Sequence, residues 1–220
     1  MSPINKGKWP KNFDSKVNGA LIAYQADRYG RDHSYDFIRE KFIKDHGKNY
    51  DSTALYLFCY LASWGMLRNS FLLQLNYKSL IPVVKLLDTK YYDLSTFNPY
   101  DVTSPKHKSI CEIVNAAKDI KSEISKLTYS KGASTKNANA TNTLVTKILL
   151  GTLGCTVAYD TNVSSGLRSI DLTGTFGKNS LYELCEFAKS YRTEIDNLIA
   201  QYGASKDVYT PMKILDSYFF

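Results

Sequence analysis

Ser104-Pro105-Lys106-His107-Lys108-Ser109-Ile110-Cys111-Glu112-Ile113-Val114-Asn115-Ala116-Ala117-Lys118-Asp119-Ile120-Lys121-Ser122-Glu123-Ile124-Ser125-Lys126-Leu127 is the stretch whose reading decides the fold class. Ile110, Ile113, Val114, Ala117, Ile120, Ile124 and Leu127 recur by threes and fours, which places them on one side of a helix. Ser104-Pro105 offers a polar cap followed by proline at the first helical position, where a missing N–H costs nothing. The same spacing runs through Leu181, Leu184, Phe187, Ala188, Tyr191, Ile195, Leu198, Ile199 and Tyr202, with Gly203 as a stop. A third helix, capped by Asp51, Ser52 or Thr53, carries Leu55, Phe58, Cys59 and Ala62 and is apolar nearly all round, the pattern of a central helix. Weaker stripes predict helices near 17–29, 34–46, 80–88, 142–150, 160–168 and 209–218.

Strand-like alternation is scarce, and no Asn-Gly turn joins two strand-like runs. The chain therefore reads as all-α: a compact bundle-like array of about nine helices in one domain over 1–220, with room for two lobes and a cleft. A basic arm is expected at 1–16. Two connections lack periodicity, 91–103 with Pro99 and the small, polar, lysine-bearing 129–141; the second reads as a loose linker or as a loop that orders on a partner.

The 220 residues are 44% hydrophobic and 22% charged, ordinary globular values that exclude disorder for most of the chain. No apolar run reaches membrane-spanning length, and Met1 to Lys8 lacks an apolar secretory core, so a soluble, cytoplasmic protein is expected. Lys and Arg total 28 against 21 for Asp and Glu, a balance that favours polyanionic partners. Lys6, Lys8, Lys11 and Lys16 load the amino-terminal arm, and Lys118, Lys121, Lys126, Lys131 and Lys136 load a helix and the loop after it. Cys59, Cys111, Cys155 and Cys185 have no short metal-site spacing, and Cys59 and Cys185 sit among apolar neighbours as buried thiols do. His33, His46 and His107 lie far apart, and no metal or other cofactor is expected.

The segment that carries chemistry runs from Thr146 to Val163: an apolar helix ending at Gly151, a glycine-punctuated loop, then Asp160 opening another helix. An Asp at an N-cap accepts hydrogen bonds from free backbone N–H groups, and the helix dipole favours its ionised form. Capping alone accounts for such a residue; in a cleft, the same carboxylate stabilises a cation forming opposite it.

Tyr159-Asp160-Thr161-Asn162-Val163 resembles the essential aspartate motif of the helix-hairpin-helix DNA glycosylases, and Leu150-Gly151-Thr152-Leu153-Gly154 is similar to that family's glycine hairpin. The glycines lie closer to the aspartate than in typical members, which implies a shortened hairpin. Glycosylase-lyases carry a lysine just after the hairpin glycines. Here those positions are near Cys155 and Thr156, so the resemblance implies a monofunctional enzyme, with Lys147 one helix earlier as the remaining amine. The family's iron–sulfur cysteines are absent. The implied activity is excision of a modified base from double-stranded DNA by a monomeric enzyme, a target such as phage DNA in host defence being the expectation. Asp160 would stabilise the oxocarbenium-like sugar or activate water.

A base must leave the duplex first, which calls for stacking and polar contacts. Trp64 is the candidate stacker, Arg68 the candidate phosphate contact, and Asn69, Ser70 and Gln74 the candidates for polar edges. Trp64 with Met66 and Leu67 equally fits the packed end of a helix. Tyr159, Asn162 and Lys147 flank the motif, and Arg168 is a further phosphate candidate. The alternative is a non-catalytic helical nucleic-acid-binding protein, or an interaction protein whose charge is incidental. A phosphate-binding GxxxxGK[ST] run and a GxSxG elbow are both missing, which disfavours phosphoryl transfer and serine hydrolysis.

Overall fold

A computed structural model describes residues 6–202 and 208–220. Among the described residues the fold is all-α, with ten helices and one small sheet. In chain order these are α1 (Phe13–Ala26), α2 (His33–Lys44), α3 (Tyr50–Ser63), α4 (Ile81–Lys90), α5 (Lys108–Ser125), β1 (Thr128–Lys131), β2 (Ser134–Asn137), α6 (Asn142–Leu153), α7 (Thr161–Ser169), α8 (Lys178–Ser190), α9 (Arg192–Tyr202) and α10 (Pro211–Phe219). No described helix is long and apolar enough to cross a membrane.

The central helix is α6, not the expected α3. Every residue from Leu144 to Leu153 is buried, and α2, α3 and α5 pack against it. Its hydroxyls are satisfied within the helix: Thr146 donates to the Asn142 carbonyl at 2.8 Å and Thr152 to that of Ile148 at 2.7 Å. Each buried Leu, Ile or Val contributes about 1.5–3 kcal/mol. In α3, by contrast, Ala54, Leu57 and Leu61 face the core while Leu55, Tyr56 and Cys59 are exposed. Cys59 is thus a surface thiol, because its apolar neighbours in sequence include residues of the outer face.

The expected glycine hairpin does not exist. Gly151 lies inside α6, where the ring of Tyr60 leaves no room for a side chain: a Cβ would stand 2.7 Å from Tyr60 Cε1. The helix runs to Leu153, and Gly154 ends it at φ +61°, its N–H donating to the Leu149 and Leu150 carbonyls. The guanidinium of buried Arg39 closes that end by donating to the Thr152 and Ser95 carbonyls.

Other boundaries move for local reasons. Ser104-Pro105 forms a turn, and α5 starts at Lys108 with His107 Nδ1 accepting from the Ser109 N–H at 3.4 Å. Asp51, Ser52 and Thr53 lie inside the first turn of α3, which Asn49 precedes at φ +54°. The single helix expected over 181–202 breaks at Tyr191, whose ring stacks on Phe13 at 4.6 Å and whose hydroxyl donates to the Pro10 carbonyl at 2.7 Å. Gly203, the expected stop, lies outside the described residues. Of the basic arm, residues 1–5 lie outside the description, Trp9 packs on Phe187, and Lys16 belongs to α1.

The polar connection after α5 folds into a hairpin. β1 and β2 pair antiparallel, Thr128 opposite Asn137 and Lys131 opposite Ser134, with Gly132 turning at φ +63°. Apart from Tyr129, whose ring lies against Phe71, the strand side chains are polar, so apolar alternation gives no trace of them.

Candidate active site

The buried link from α6 to α7, 154–159, positions Asp160. Its backbone is held by side chains: Thr210 donates to the Gly154 carbonyl at 2.8 Å, Asp216 Oδ1 accepts from the Ala158 N–H at 2.8 Å, and Thr146 Oγ1 accepts from the Tyr159 N–H at 2.9 Å. Asp160 is the N-cap of α7, its Oδ1 accepting from the Val163 N–H at 3.1 Å. Its other oxygen, Oδ2, lies 3.1 Å from Lys147 Nζ. The lysine side chain is 5% exposed and the aspartate 17%, so this is a largely desolvated ion pair.

Trp64, at the end of α3, covers the pair: Lys147 Nζ stands 4.9 Å from the centre of its ring. Arg31 Cζ approaches the same ring at 4.9 Å, and Phe220 meets it edge-on at 5.3 Å. The indole is therefore already engaged, by two side chains that are themselves exposed.

A second charged pair lies behind the first. Lys213 and Asp216 on α10 are each 6% exposed, with Nζ and Oδ2 3.7 Å apart. Burial pushes the Asp216 carboxyl above the usual carboxylate range, against the ammonium groups of Lys213 and Lys147. The Tyr60 hydroxyl is pushed well above its ordinary value by burial and by the charges of Asp216 and Asp160. These α10 residues escaped sequence reasoning. The signal was present, as two charges three residues apart between Met212, Ile214, Leu215, Tyr218 and Phe219, positions that otherwise read as core.

Two adjoining chambers lie between the segment after α3 and the hairpin. One chamber of about 340 Å3 is lined by Gly65, Arg68, Asn69, Ser70, Thr141 and Leu144 among others. A second of about 320 Å3 adds Leu73, Gln74 and Lys131, the two sharing Asn69, Ser70, Phe71 and Tyr129. Leu144 precedes Lys147 by three residues on the same face of α6, and Gly65 follows Trp64 directly. No carboxylate lines either chamber, whereas Arg68 and Lys131 do. The cleft of about 310 Å3 beside α5 differs, since Asp93, Asp101 and Glu112 balance Lys90 and Lys108 there.

The structure thus brings Arg68, Asn69, Ser70 and Gln74 to two adjoining chambers, and separately brings Trp64, Lys147 and Asp160 together. Asn69 turns the chain at φ +57°, and Ser70 Oγ accepts from the Leu72 N–H to open a short 3-10 turn. The other three candidates lie elsewhere. Tyr159 is buried, its hydroxyl 2.8 Å from Ser180 Oγ and its ring against Phe176, so it serves packing. Asn162 is exposed in the first turn of α7, and Arg168 sits in its last turn, 3.4 Å from Ser165 Oγ. Among the described residues no group of three His, Cys, Asp or Glu side chains is placed to hold a metal ion.

Comparison with protein-family models, with curated proteins and with solved structures finds no match.

Proposed function

We propose that the chain is a DNA N-glycosylase that releases a modified base, with Asp160 stabilising the sugar cation. The observation that carries this reading is the desolvated Lys147–Asp160 pair, one helical turn from Leu144, which lines a groove that holds cations and amides but no carboxylate. Such a groove suits a phosphodiester strand. A carboxylate fixed at a helix N-terminus attracts an oxocarbenium that develops beside it, and a low local dielectric makes the attraction large. Its two oxygens are held by Val163 N–H and Lys147 Nζ, so little reorganisation accompanies the reaction.

The test is incubation with duplexes bearing single modified bases, followed by alkali to cleave at abasic sites. Asp160→Asn keeps the cap and is expected to lower base release by about 10²–10³-fold while DNA binding persists. Equal release by the variant would refute the reading.

The 3.1 Å contact of Lys147 with Asp160 favours a second form of the same chemistry over the monofunctional one. The ammonium passes a proton to the carboxylate, the free amine attacks the sugar C1′, and the base departs with the bonding electrons and takes that proton; the new ammonium then gives a proton to O4′ as the C1′–O4′ bond breaks, which leaves an imine. Borohydride then traps a covalent protein–DNA adduct, absent from Lys147→Met. Without the adduct, water is the nucleophile.

A further inference from the structure

Tyr129 lines both chambers and so stands in the wall between them. Its side chain is partly exposed, with the ring 6.3 Å from that of buried Phe71. Lys136 pairs directly across from it on β2, and Lys131 follows it by two residues on β1, so the three side chains leave the same face of the hairpin. The hairpin 128–137 contains no acidic residue. Leu73, 60% exposed, adds apolar surface to the second chamber.

The polar groups of this surface are uncommitted. Among the described residues, the side chains of Arg68, Asn69, Gln74, Lys131, Asn137 and Asn139 line the chambers without a hydrogen bond or ion pair to the rest of the chain, and Lys136 has none either. Other lysines are held by carboxylates, as Lys90 is by Asp119 at 2.7 Å, Lys189 by Glu186 at 2.7 Å and Lys41 by Asp45 at 2.9 Å. Three cations without a carboxylate, four amides and an aromatic ring suit a ligand that carries repeated negative charge, amide-like edges and flat rings. The chambers measure about 340 and 320 Å3, the lower end of the range for small-molecule pockets and enough for one unstacked base each. A duplex keeps its bases paired and stacked and fills neither; an unpaired strand fills both.

We propose that this surface binds single-stranded DNA, with one base in each chamber, Tyr129 stacked on one of them, and phosphates of the strand on Arg68, Lys131 and Lys136. The amides of Asn69, Gln74, Asn137 and Asn139 meet base edges, where an amide offers both a donor and an acceptor to whichever base arrives. Stacking and phosphate contacts are tolerant of sequence, so the surface holds a strand without selecting its bases. An unpaired strand is also what an enzyme acting on a base requires, since the base must leave the stack first. The choice of DNA over RNA rests on the glycosylase reading; the preference for an unpaired strand does not.

The experiment is fluorescence anisotropy with a labelled oligothymidylate of about ten nucleotides, its duplex with oligodeoxyadenylate, and oligouridylate, over about 50 to 200 mM salt. The single DNA strand is expected to bind at least tenfold more tightly than the duplex and no less tightly than oligouridylate. Three phosphate contacts give a slope of about −2 in log K against log salt for a single strand. Lys131→Gln and Lys136→Gln are each expected to bring that slope about 0.7 nearer zero, whereas Lys85→Gln, which removes the same charge from the exposed side of α4, leaves it unchanged. Both hairpin lysines are exposed, and misfolding does not subtract one phosphate contact, so the slope separates binding from damage. Tyr129→Ala is expected to weaken binding about tenfold, and Tyr129→Phe, which keeps the ring, to retain it. Equal binding of strand and duplex, or a slope that neither hairpin lysine moves, overturns the proposal. Tighter binding of oligouridylate overturns the choice of DNA. Strand-selective binding with no base released from any DNA refutes the glycosylase reading and keeps the surface. Base release without a preference for the unpaired strand keeps the enzyme and overturns the surface.

Discussion

Removing one charge from the Lys147–Asp160 pair is the perturbation on which the site's physics turns. The side chains are 5% and 17% exposed and 3.1 Å apart. Breaking a fully buried pair costs about 3–5 kcal/mol, and the residual exposure of Asp160 brings the figure to about 2–3 kcal/mol. The two single variants differ in what they leave behind. Asp160→Asn retains the cap to Val163 but strands an ammonium under Trp64, with the ring and the more distant Asp216 to face it. Lys147→Met strands a carboxylate that still has the N-terminus of α7, so it costs less, about 1–2 kcal/mol. The double variant removes both charges, so the single costs do not add; a coupling of about 2 kcal/mol is expected. For a chain of this size 1 kcal/mol moves Tm by about 2–4 °C, so Asp160→Asn lowers it by about 4–12 °C and adding Lys147→Met restores much of that. Urea unfolding of the four proteins measures the cycle. Additivity within about 0.5 kcal/mol, or two harmless single variants, would show that the pair is solvated and would refute the picture of a desolvated charge site.

Three further outcomes follow from packing and burial. Gly151→Ala gains about 1 kcal/mol of helix propensity but drives a methyl against Tyr60, an overpacking cost of about 1–3 kcal/mol, so a net loss is expected in urea unfolding; a gain would mean that the Tyr60 ring has room to move. The Cys155 and Cys185 thiols are pushed up to about 12 by burial, while Cys59 is exposed and Cys111 partly so; a disulfide reagent at pH 8 should therefore titrate two thiols in the folded chain and four after unfolding. Because burial raises the Asp216 carboxyl, the folded state holds its proton to higher pH than the unfolded state, whose value is near 3.9. Its contribution to stability is full below that pH and is lost as pH rises through the folded value. The stability of Asp216→Asn relative to the parent should accordingly rise between pH 4 and pH 7, and a flat difference would contradict the shift.

Much of the architecture was legible because helical burial writes itself into the chain. The stripe Ile110, Ile113, Ala117, Ile120, Ile124 is the buried face of α5, and the interiors of α1, α2, α4, α6, α7 and α10 fall where periodicity puts them. Asp160 as an N-cap was legible too, since capping depends on a few neighbouring residues. The hairpin 128–137 was hidden because its hydrogen bonds are between backbones and, but for Tyr129, its side chains are polar. Gly151 looked like punctuation because a glycine that makes way for a distant ring has the same letter as one that turns the chain.

Local order in this protein is thus a property of the chain by itself: where its helices lie, that they pack as an all-α array, and that Asp160 caps one of them. Tertiary packing alone decided that α6 is the central helix, that Lys147 lies against Asp160 beneath Trp64, and that Lys213 and Asp216 arrive from the other end of the sequence. The physical reason is range. Periodicity and capping act over three or four residues, whereas the desolvation that gives a buried charge its force depends on which remote surfaces close around it.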